Sequence, residues 1–230
     1  FRREPGAGGH GMSIDTVIFD LDGVIIDTED VWNSVRQEFT LAHGGHWTRE
    51  IDQPKVMGAN SMQWAASLRE NNGVDLSDEE IYDGIIDGLR KRYARDIPII
   101  AGAPETIDRL ARDYCLGVAS SSPREIIDYA LELAEIRTRF AAVVSSDEVA
   151  RGKPEPDVYL EACRRLDALP EQAAAVEDSS SGLTSAYAAG LTVIAIPNPA
   201  FPPSAEAVAM ADVVLESITD LNGGILASLG

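Results

Sequence analysis

Apolar residues follow two different patterns along this chain. From about residue 30 to 97 they recur every three or four positions, as Trp32 and Val35 do, and this spacing predicts helices with no convincing strand. From residue 98 onward, short apolar runs of strand length alternate with helical segments. One more such run, residues 16–19, precedes the helical region. The pattern therefore predicts a helical segment inserted after the first strand of an alternating strand and helix unit.

Signals for helix ends agree with this division. Ser77 followed by Glu80 forms a capping box, which predicts a helix start, and another helix is predicted to begin near Ser61. Ser122 ahead of Pro123 predicts a helix start with Ser122 as its N-cap. Repeated strand and helix units imply a parallel sheet with helices on both faces, so the expected fold class is α/β.

Composition narrows the range of partners. The 230 residues include 19 lysines and arginines against 38 aspartates and glutamates, a formal net charge of -19. A protein this negative is repelled by nucleic acid and by anionic membranes, so neither is expected as a partner. No apolar run approaches the roughly 18 residues of a membrane span and no signal-peptide pattern opens the sequence, so we expect a cytoplasmic protein. Cys115 and Cys163 lie in apolar contexts and are expected to be reduced core residues.

Residues 1–15 differ in composition from the rest. They include Arg2, Arg3 and a glycine-rich run at residues 6–11. We expect a disordered leader or a cloning remnant here, with Met12 as a candidate natural start.

Two aspartates end the first apolar run. Asp20 and Asp22 stand one residue apart where a buried strand is predicted to stop, and Gly23 lets the backbone turn away and approach a ligand. Adjacent carboxylates repel each other, and burial makes them costly to ionise. A divalent metal, a nearby lysine or both would offset that cost. The pattern predicts a site built for chemistry.

The ends of the other predicted strands carry complementary groups. Ligands of such sheets bind outside the carboxyl ends of the strands, so side chains there are expected to converge. These side chains are one hydroxyl, one lysine and two further carboxylates, from Ser120, Lys153, Glu177 and Asp178. The oxygen ligands suit Mg²⁺. Ser120, the free N–H groups of the helix at Pro123 and Lys153 are suited to hold a phosphoryl group.

Four motifs, in this order, carry a family resemblance. They read Asp20-Leu21-Asp22-Gly23-Val24, Ala119-Ser120-Ser121-Ser122, Gly152-Lys153-Pro154-Glu155-Pro156-Asp157 and Val176-Glu177-Asp178-Ser179-Ser180-Ser181-Gly182. On these motifs the sequence resembles the haloacid dehalogenase superfamily, and within it the β-phosphoglucomutase-like phosphatases. The resemblance implies a Rossmann-like, doubly wound core of residues 16–29 and 98–230, with an all-helical cap of residues 30–97.

The resemblance also implies a reaction. Asp20 would be the nucleophile that attacks phosphorus to give an aspartyl-phosphate. Asp22 would protonate the leaving oxygen and then activate water. Departure of a halide needs no proton, so an aspartate at the second position favours phosphoryl transfer over dehalogenation.

A cofactor and a phosphate site follow from the same resemblance. Mg²⁺ would be held by Asp20, by the backbone carbonyl of Asp22, by Asp178 and, through water, by Glu177. The phosphate-binding residues would be Ser120, Ser121 and Lys153. Lys153 would also keep Asp20 ionised.

The insert is where the sequence departs from the mutase pattern. A mutase is expected to carry a histidine soon after the first motif and an arginine in the cap for a second phosphate, whereas Trp32 and Asn60 stand at the corresponding positions. A site without that cation should hold a bisphosphate intermediate poorly, which favours hydrolysis. Trp32 and Asn60 are candidates for substrate contact, together with Glu29.

The expected activity is therefore a Mg²⁺-dependent phosphatase acting on a small phosphorylated metabolite, a sugar phosphate above all, as a monomer or a homodimer. A phosphosugar mutase is the alternative within the same family. A non-enzymatic receiver phosphorylated on Asp20 is a third possibility, since receivers also place acids, a hydroxyl and a lysine at strand ends. A helical insert of about 70 residues argues against the receiver, because receivers lack a cap that closes over a substrate.

Overall fold

The computed structural model describes residues 13–56 and 59–230, so the leader expected at the start lies almost wholly outside the described residues. Within them the centre of the fold is a sheet of six parallel strands in the order 3-2-1-4-5-6. The strands are β1 (Thr16–Phe19), β2 (Cys115–Ser120), β3 (Ala142–Ser145), β4 (Ala173–Glu177), β5 (Thr192–Ala195) and β6 (Val213–Val214). This order puts β1 near the middle and is that of a doubly wound sheet, which confirms the predicted fold class.

Four helices fill the insert between β1 and β2. They are α1 (Glu29–Ala42), α2 (Arg49–Val56), α3 (Ser61–Asn72) and α4 (Asp78–Tyr93). Helix α4 packs against both α1 and α3, and the capping box predicted at Ser77 and Glu80 is formed. Helix α2 was not predicted, because its sequence is polar and contains Pro54. None of the helices in the described residues has the length and apolar character needed to cross a bilayer.

Six further α-helices follow the insert, all within residues 98–230. They are α5 (Ala103–Leu110), α6 (Arg124–Leu133), α7 (Asp157–Leu166), α8 (Ser180–Ala188), α9 (Ala205–Val208) and α10 (Gly223–Leu229). The strands can bury both faces because successive side chains point to opposite sides. In β1, Val17 and Phe19 join one apolar cluster, which continues into the insert, while Ile18 joins a second cluster with side chains of α7 and α8.

The strand register brings the motifs together. Phe19 of β1 pairs with Val118 of β2 on one side and with Val176 of β4 on the other. The residues that follow Phe19 and Val176, Asp20 and Glu177, therefore stand side by side at the carboxyl edge. This parallel register, and not any closeness in sequence, creates the acidic site.

Polar contacts join the insert to the core. The N–H of Ser61, at the start of α3, donates to an Asp147 carboxylate oxygen at 3.0 Å. The Tyr82 hydroxyl of α4 donates to Glu125 of α6 at 2.8 Å. These contacts hold the insert over the carboxyl edge of the sheet.

The two cysteines differ from each other. Cys163 is buried, as predicted, whereas Cys115 is exposed at the start of β2. The prediction of a core position for Cys115 was wrong, because the first residue of a strand need not share the burial of its interior.

Candidate active site

Carboxylates from two neighbouring strands meet at the carboxyl edge of the sheet. Asp20 directly follows β1, and its N–H donates to the Val176 carbonyl oxygen of β4 at 2.9 Å. Glu177 ends β4, and Asp178 comes next in the chain. One carboxylate oxygen from each of Asp20, Glu177 and Asp178 lies within 4.8 Å of the others. The structure thus brings together three side chains that the sequence proposed as metal ligands.

Lys153 is the cation of this cluster. Its Nζ lies 2.7 Å from an Asp20 carboxylate oxygen and 2.6 Å from Glu177, and it donates to the Ala119 carbonyl oxygen at 3.0 Å. Tyr159 of α7 completes the arrangement, since its hydroxyl donates to the same Glu177 oxygen at 2.7 Å. Sequence reasoning missed Tyr159, whose only signal is an aromatic residue in the helix that follows the lysine motif.

Burial dominates the electrostatics of the cluster. It raises the pKa of Asp20 to about 8, although the charge of Lys153 pulls the value down. Burial also raises the pKa of Asp178 well above its ordinary value, and the negative charges of Asp20 and Glu177 add to the effect. Burial lowers the pKa of Lys153, but its attraction to Asp20 and Glu177 is stronger and leaves that pKa raised. Lys153 thus lies where its charge favours the ionised form of Asp20, against the effect of burial.

This donor set fits a hard divalent cation. Three clustered carboxylates balanced by one lysine leave excess negative charge in a buried place. Burial first, and the neighbouring acids second, raise the pKa of Asp20 and of Asp178. Carboxylate oxygens are the ligands that Mg²⁺ prefers, and a cation among them would favour the ionised acids. The residues that would hold the ion are Asp20, Glu177 and Asp178.

Asp22 is surrounded by hydrogen-bond donors. The Ser122 hydroxyl lies 2.6 Å from one carboxylate oxygen, and the Ser120 hydroxyl lies 3.3 Å from the same oxygen. The other oxygen accepts from the Thr28 hydroxyl and from the indole Nε1 of Trp32 at 3.3 Å. Because the donors come from β1's own loop, from the insert and from the end of β2, Asp22 links the core to the insert.

The serines of the second motif have separate positions. Ser120 is fully buried, and its hydroxyl oxygen accepts from the Ser122 N–H at 3.0 Å. Ser121 and Ser122 line the cavity beside Asp20, and Ser121 Oγ has no hydrogen-bond partner in the described residues. The prediction that Ser122 caps α6 was wrong: Pro123 holds the cap position without a side-chain bond, and Ser122 bonds Asp22 instead.

A cavity of about 490 Å³ opens above these groups, between the core and the insert. That volume is within the range of small-molecule sites. Its floor includes Asp20, Asp22, Lys153 and Asp178. The side chains that the insert and the loop before it contribute include Thr28, Glu29, Trp32, Arg36, Val56, Ala59 and Trp64, and the core loop at 201–203 closes another side.

The proposed substrate residues are not all in this cavity. Glu29 and Trp32 line it, whereas Asn60 is not among its described lining residues. The Asn60 side chain accepts from the Gln63 N–H in a capping box at the start of α3. The insert nevertheless supplies a cation, Arg36, that sequence reasoning missed; its signal was a basic residue one helical turn after Trp32.

Gly23 is required where the first motif turns. Its φ is +86°, and a Cβ built there would lie 2.0 Å from Asp178 Oδ2. We expect Gly23→Ala to destabilise the protein by about 1–3 kcal/mol, through the strained backbone and the displaced carboxylate. Urea unfolding measures the first effect, and the Mg²⁺ concentration needed for activity measures the second.

Gly44 supplies a matched control. It has a similar φ of +76°, but a Cβ there would meet nothing within 4 Å. Gly44→Ala should therefore show only the backbone cost and should leave the Mg²⁺ requirement unchanged. Equal Mg²⁺ requirements in the two alanine variants would show that Gly23 does not protect the position of Asp178.

Comparison with known proteins relates the whole arrangement to one family. Residues 17–196 match the model of the haloacid dehalogenase-like hydrolases. The chain is 32% identical over 198 residues to protein CbbY of Rhodobacter capsulatus, covering 81% of this chain and 87% of that protein. It is 28% identical over 215 residues to hexitol phosphatase B of Escherichia coli, covering 89% and 92%. The crystal structure of CbbY from Rhodobacter sphaeroides in complex with phosphate has a TM-score of 0.83 at 29% identity, covering 94% of this chain and 100% of that one.

Proposed function

The chain belongs to the haloacid dehalogenase-like hydrolase family, and from that membership we propose that it is a Mg²⁺-dependent phosphatase. Its substrate in this proposal is a small phosphorylated metabolite, a sugar or polyol phosphate. The observation that carries the proposal is the position of Asp20, which contacts Lys153 within an acidic cluster on the floor of a cavity covered by the insert.

The first half of the proposed reaction transfers the phosphoryl group to the protein. A carboxylate oxygen of Asp20 attacks phosphorus while the bond from phosphorus to the leaving oxygen breaks, which gives an aspartyl-phosphate. Asp22 lines the same cavity and gives its proton to the leaving oxygen, which departs as an alcohol.

The second half releases phosphate. Asp22, now ionised, takes a proton from a water molecule that attacks the phosphorus of the aspartyl-phosphate. The bond between phosphorus and Asp20 breaks, inorganic phosphate leaves, and both aspartates return to their starting states.

Fixed groups of the site would stabilise the transferred group. Lys153 supplies positive charge next to Asp20, and the hydroxyls of Ser121 and Ser122 line the cavity where phosphoryl oxygens would lie. Mg²⁺, held by Asp20, Glu177 and Asp178, would supply further positive charge for the phosphoryl oxygens.

A phosphosugar mutase is the second candidate. Such an enzyme must retain a bisphosphate between its two transfer steps, and Arg36 is a cation of the insert that lines the cavity where this intermediate would be held. A receiver is disfavoured, because side chains of α1, α2 and α3 line the cavity over Asp20 and would hinder access by a partner protein.

One incubation separates these candidates. The protein is mixed with Mg²⁺ and a panel of sugar and polyol phosphates that includes β-glucose 1-phosphate with a trace of the bisphosphate, and free phosphate and isomerised sugar phosphate are quantified together. We expect free phosphate from several members of the panel. Glucose 6-phosphate formed without free phosphate would instead identify a mutase, and a stable phosphoprotein without turnover would identify a receiver.

A further inference from the structure

One cation in the cavity, Arg36, has no acidic side chain at ion-pair distance among residues 13–56 and 59–230. Arg36 lies on α1, one helical turn after Trp32, and lines the cavity whose floor holds Asp20 and Asp22. The residue is only 5% exposed. Burial lowers the pKa of Arg36 to about 10, against the attraction of Glu29, so the guanidinium stays charged at neutral pH.

The hydrogen-bonding capacity of this guanidinium is unused. In the described residues Arg36 forms no hydrogen bond, no carboxylate oxygen lies within 4.0 Å of it, and its buried Nε has no acceptor. The guanidinium carbon lies over the rings of Trp32 and Trp64, at 4.5 and 5.6 Å from their centroids. A cation–π contact gives the N–H groups no acceptor atom, so they stay available to donate to a ligand.

The neighbouring acid attracts Arg36 but forms no ion pair with it. Glu29 lines the same cavity, but its carboxylate accepts a hydrogen bond from Gln53, and burial raises the pKa of Glu29. A buried cation that lacks an acceptor is costly to the folded protein, whereas a ligand anion that pairs with it removes that cost. Asp20 on the cavity floor already accepts from Lys153, and Asp22 accepts from Thr28, Trp32 and the serines.

We propose that Arg36 is a specificity-determining residue that binds a second anionic group of the substrate, a carboxylate or a second phosphate on the leaving group. This inference rests on the proposed phosphatase function and, among small phosphorylated metabolites, directs the substrate class to phosphorylated sugar acids and sugar bisphosphates. Arg36 contacts the part of the substrate remote from the transferred phosphoryl group, while the two tryptophan rings pack against the guanidinium and keep it in the cavity.

The test compares substrates that differ only in that second group. Glycerol 3-phosphate is paired with 3-phosphoglycerate, and sorbitol 6-phosphate with 6-phosphogluconate, so that each pair exchanges a neutral CH₂OH for a carboxylate at one chain length. Fructose 1,6-bisphosphate and fructose 6-phosphate form a third pair, which separates a phosphate from a carboxylate preference. We expect the wild-type kcat/KM to favour the anionic member of at least one pair by roughly 10- to 100-fold, the value of one charged hydrogen-bonded contact.

Variants assign that preference to Arg36. Arg36→Met keeps a long side chain for packing and should abolish the preference, mainly through a higher KM for the anionic member, whereas Arg36→Lys keeps the charge and should retain part of it. Arg69→Met serves as the control, because Arg69 is an exposed residue of the insert that pairs with Asp78 and Glu70. It should leave every ratio as in the wild type.

Several results would overturn the inference. One is a wild-type preference for the neutral member of every pair. Another is a kcat/KM ratio of anionic to neutral member that is unchanged in Arg36→Met. The third is an equal loss of activity on both members in Arg36→Met, which would show a structural role only. If any of these results were found while phosphate was still released from neutral substrates, the phosphatase proposal would remain supported. No phosphate from any substrate in the presence of Mg²⁺ would overturn both.

Discussion

Asp20→Asn is expected to lower phosphate release by a factor on the order of 10⁴ or more. The asparagine amide has nearly the same shape as the carboxylate but cannot attack phosphorus, so no aspartyl-phosphate forms. The protein should still fold, because the change removes a buried negative charge. Burial and the nearby negative charges of Glu177 and Asp22 all disfavour that charge. Phosphate release under saturating Mg²⁺ and urea unfolding measure the two effects.

Asp27→Asn is the matched control for this experiment. Asp27 belongs to the same segment of the chain but is exposed and does not line the cavity. Its variant should retain activity close to that of the wild type. If Asp20→Asn kept more than about one hundredth of the wild-type rate, a direct attack of water on phosphorus would explain the reaction better than an aspartyl-phosphate.

Lys153→Met is the second change with a large expected effect. The Lys153 side chain is 3% exposed and is the ion-pair partner of both Asp20 and Glu177. Removing it leaves two buried carboxylates without their cation, which should lower the free energy of unfolding by about 3–5 kcal/mol. Activity should also fall sharply, because the fixed positive charge next to the transferred phosphoryl group is lost.

Mg²⁺ makes the reason for this loss testable. Because the ion would compensate the same carboxylates, it should recover a larger part of the stability in Lys153→Met than it adds to the wild type. Lys91→Met is the control, since Lys91 pairs with Asp87 on the surface with 69% of its side chain exposed, and it should cost less than about 1 kcal/mol. Equal stability losses in the two methionine variants would contradict the account of Lys153 as the cation of a buried cluster.

The core and its acidic cluster were predictable for a simple physical reason. A parallel sheet places all its carboxyl ends at one edge, so any motif that ends a strand must lie there. Asp20, Lys153, Glu177 and Asp178 converge in this way although most of the chain separates them. Their residue types then indicate a metal site, because three buried acids and one lysine carry excess negative charge that a divalent cation would offset.

The insert was predictable only as a set of helices. Which side of a helix faces the cavity depends on how four short helices pack, and periodicity does not determine that. Asn60 therefore looked available for substrate, although a capping box at the start of α3 occupies its side chain. Periodicity did not single out Arg36 of α1, although two tryptophans pack against it inside the cavity.

The second motif shows the same limit on a smaller scale. Each of three consecutive serines is suited to cap a helix, so the sequence does not show which hydroxyl caps the helix, which bonds Asp22 and which lines the cavity. In the structure Ser120 is buried under the site, Ser121 faces the cavity and Ser122 holds Asp22. The division depends on how the backbone turns between β2 and α6, where Pro123 leaves Ser122 outside the first turn of the helix.

Asp20 is proposed to carry the phosphoryl group between the two half-reactions, and trapping the aspartyl-phosphate tests this role. The wild-type protein is mixed with Mg²⁺ and the best substrate of the panel, quenched in acid during turnover, digested, and analysed by mass spectrometry. We expect the peptide containing Asp20 to gain the mass of one phosphoryl group, and the Asp20→Asn peptide not to gain it. Phosphate released at the full rate with no phosphorylated peptide, or with the group on another residue, would contradict it.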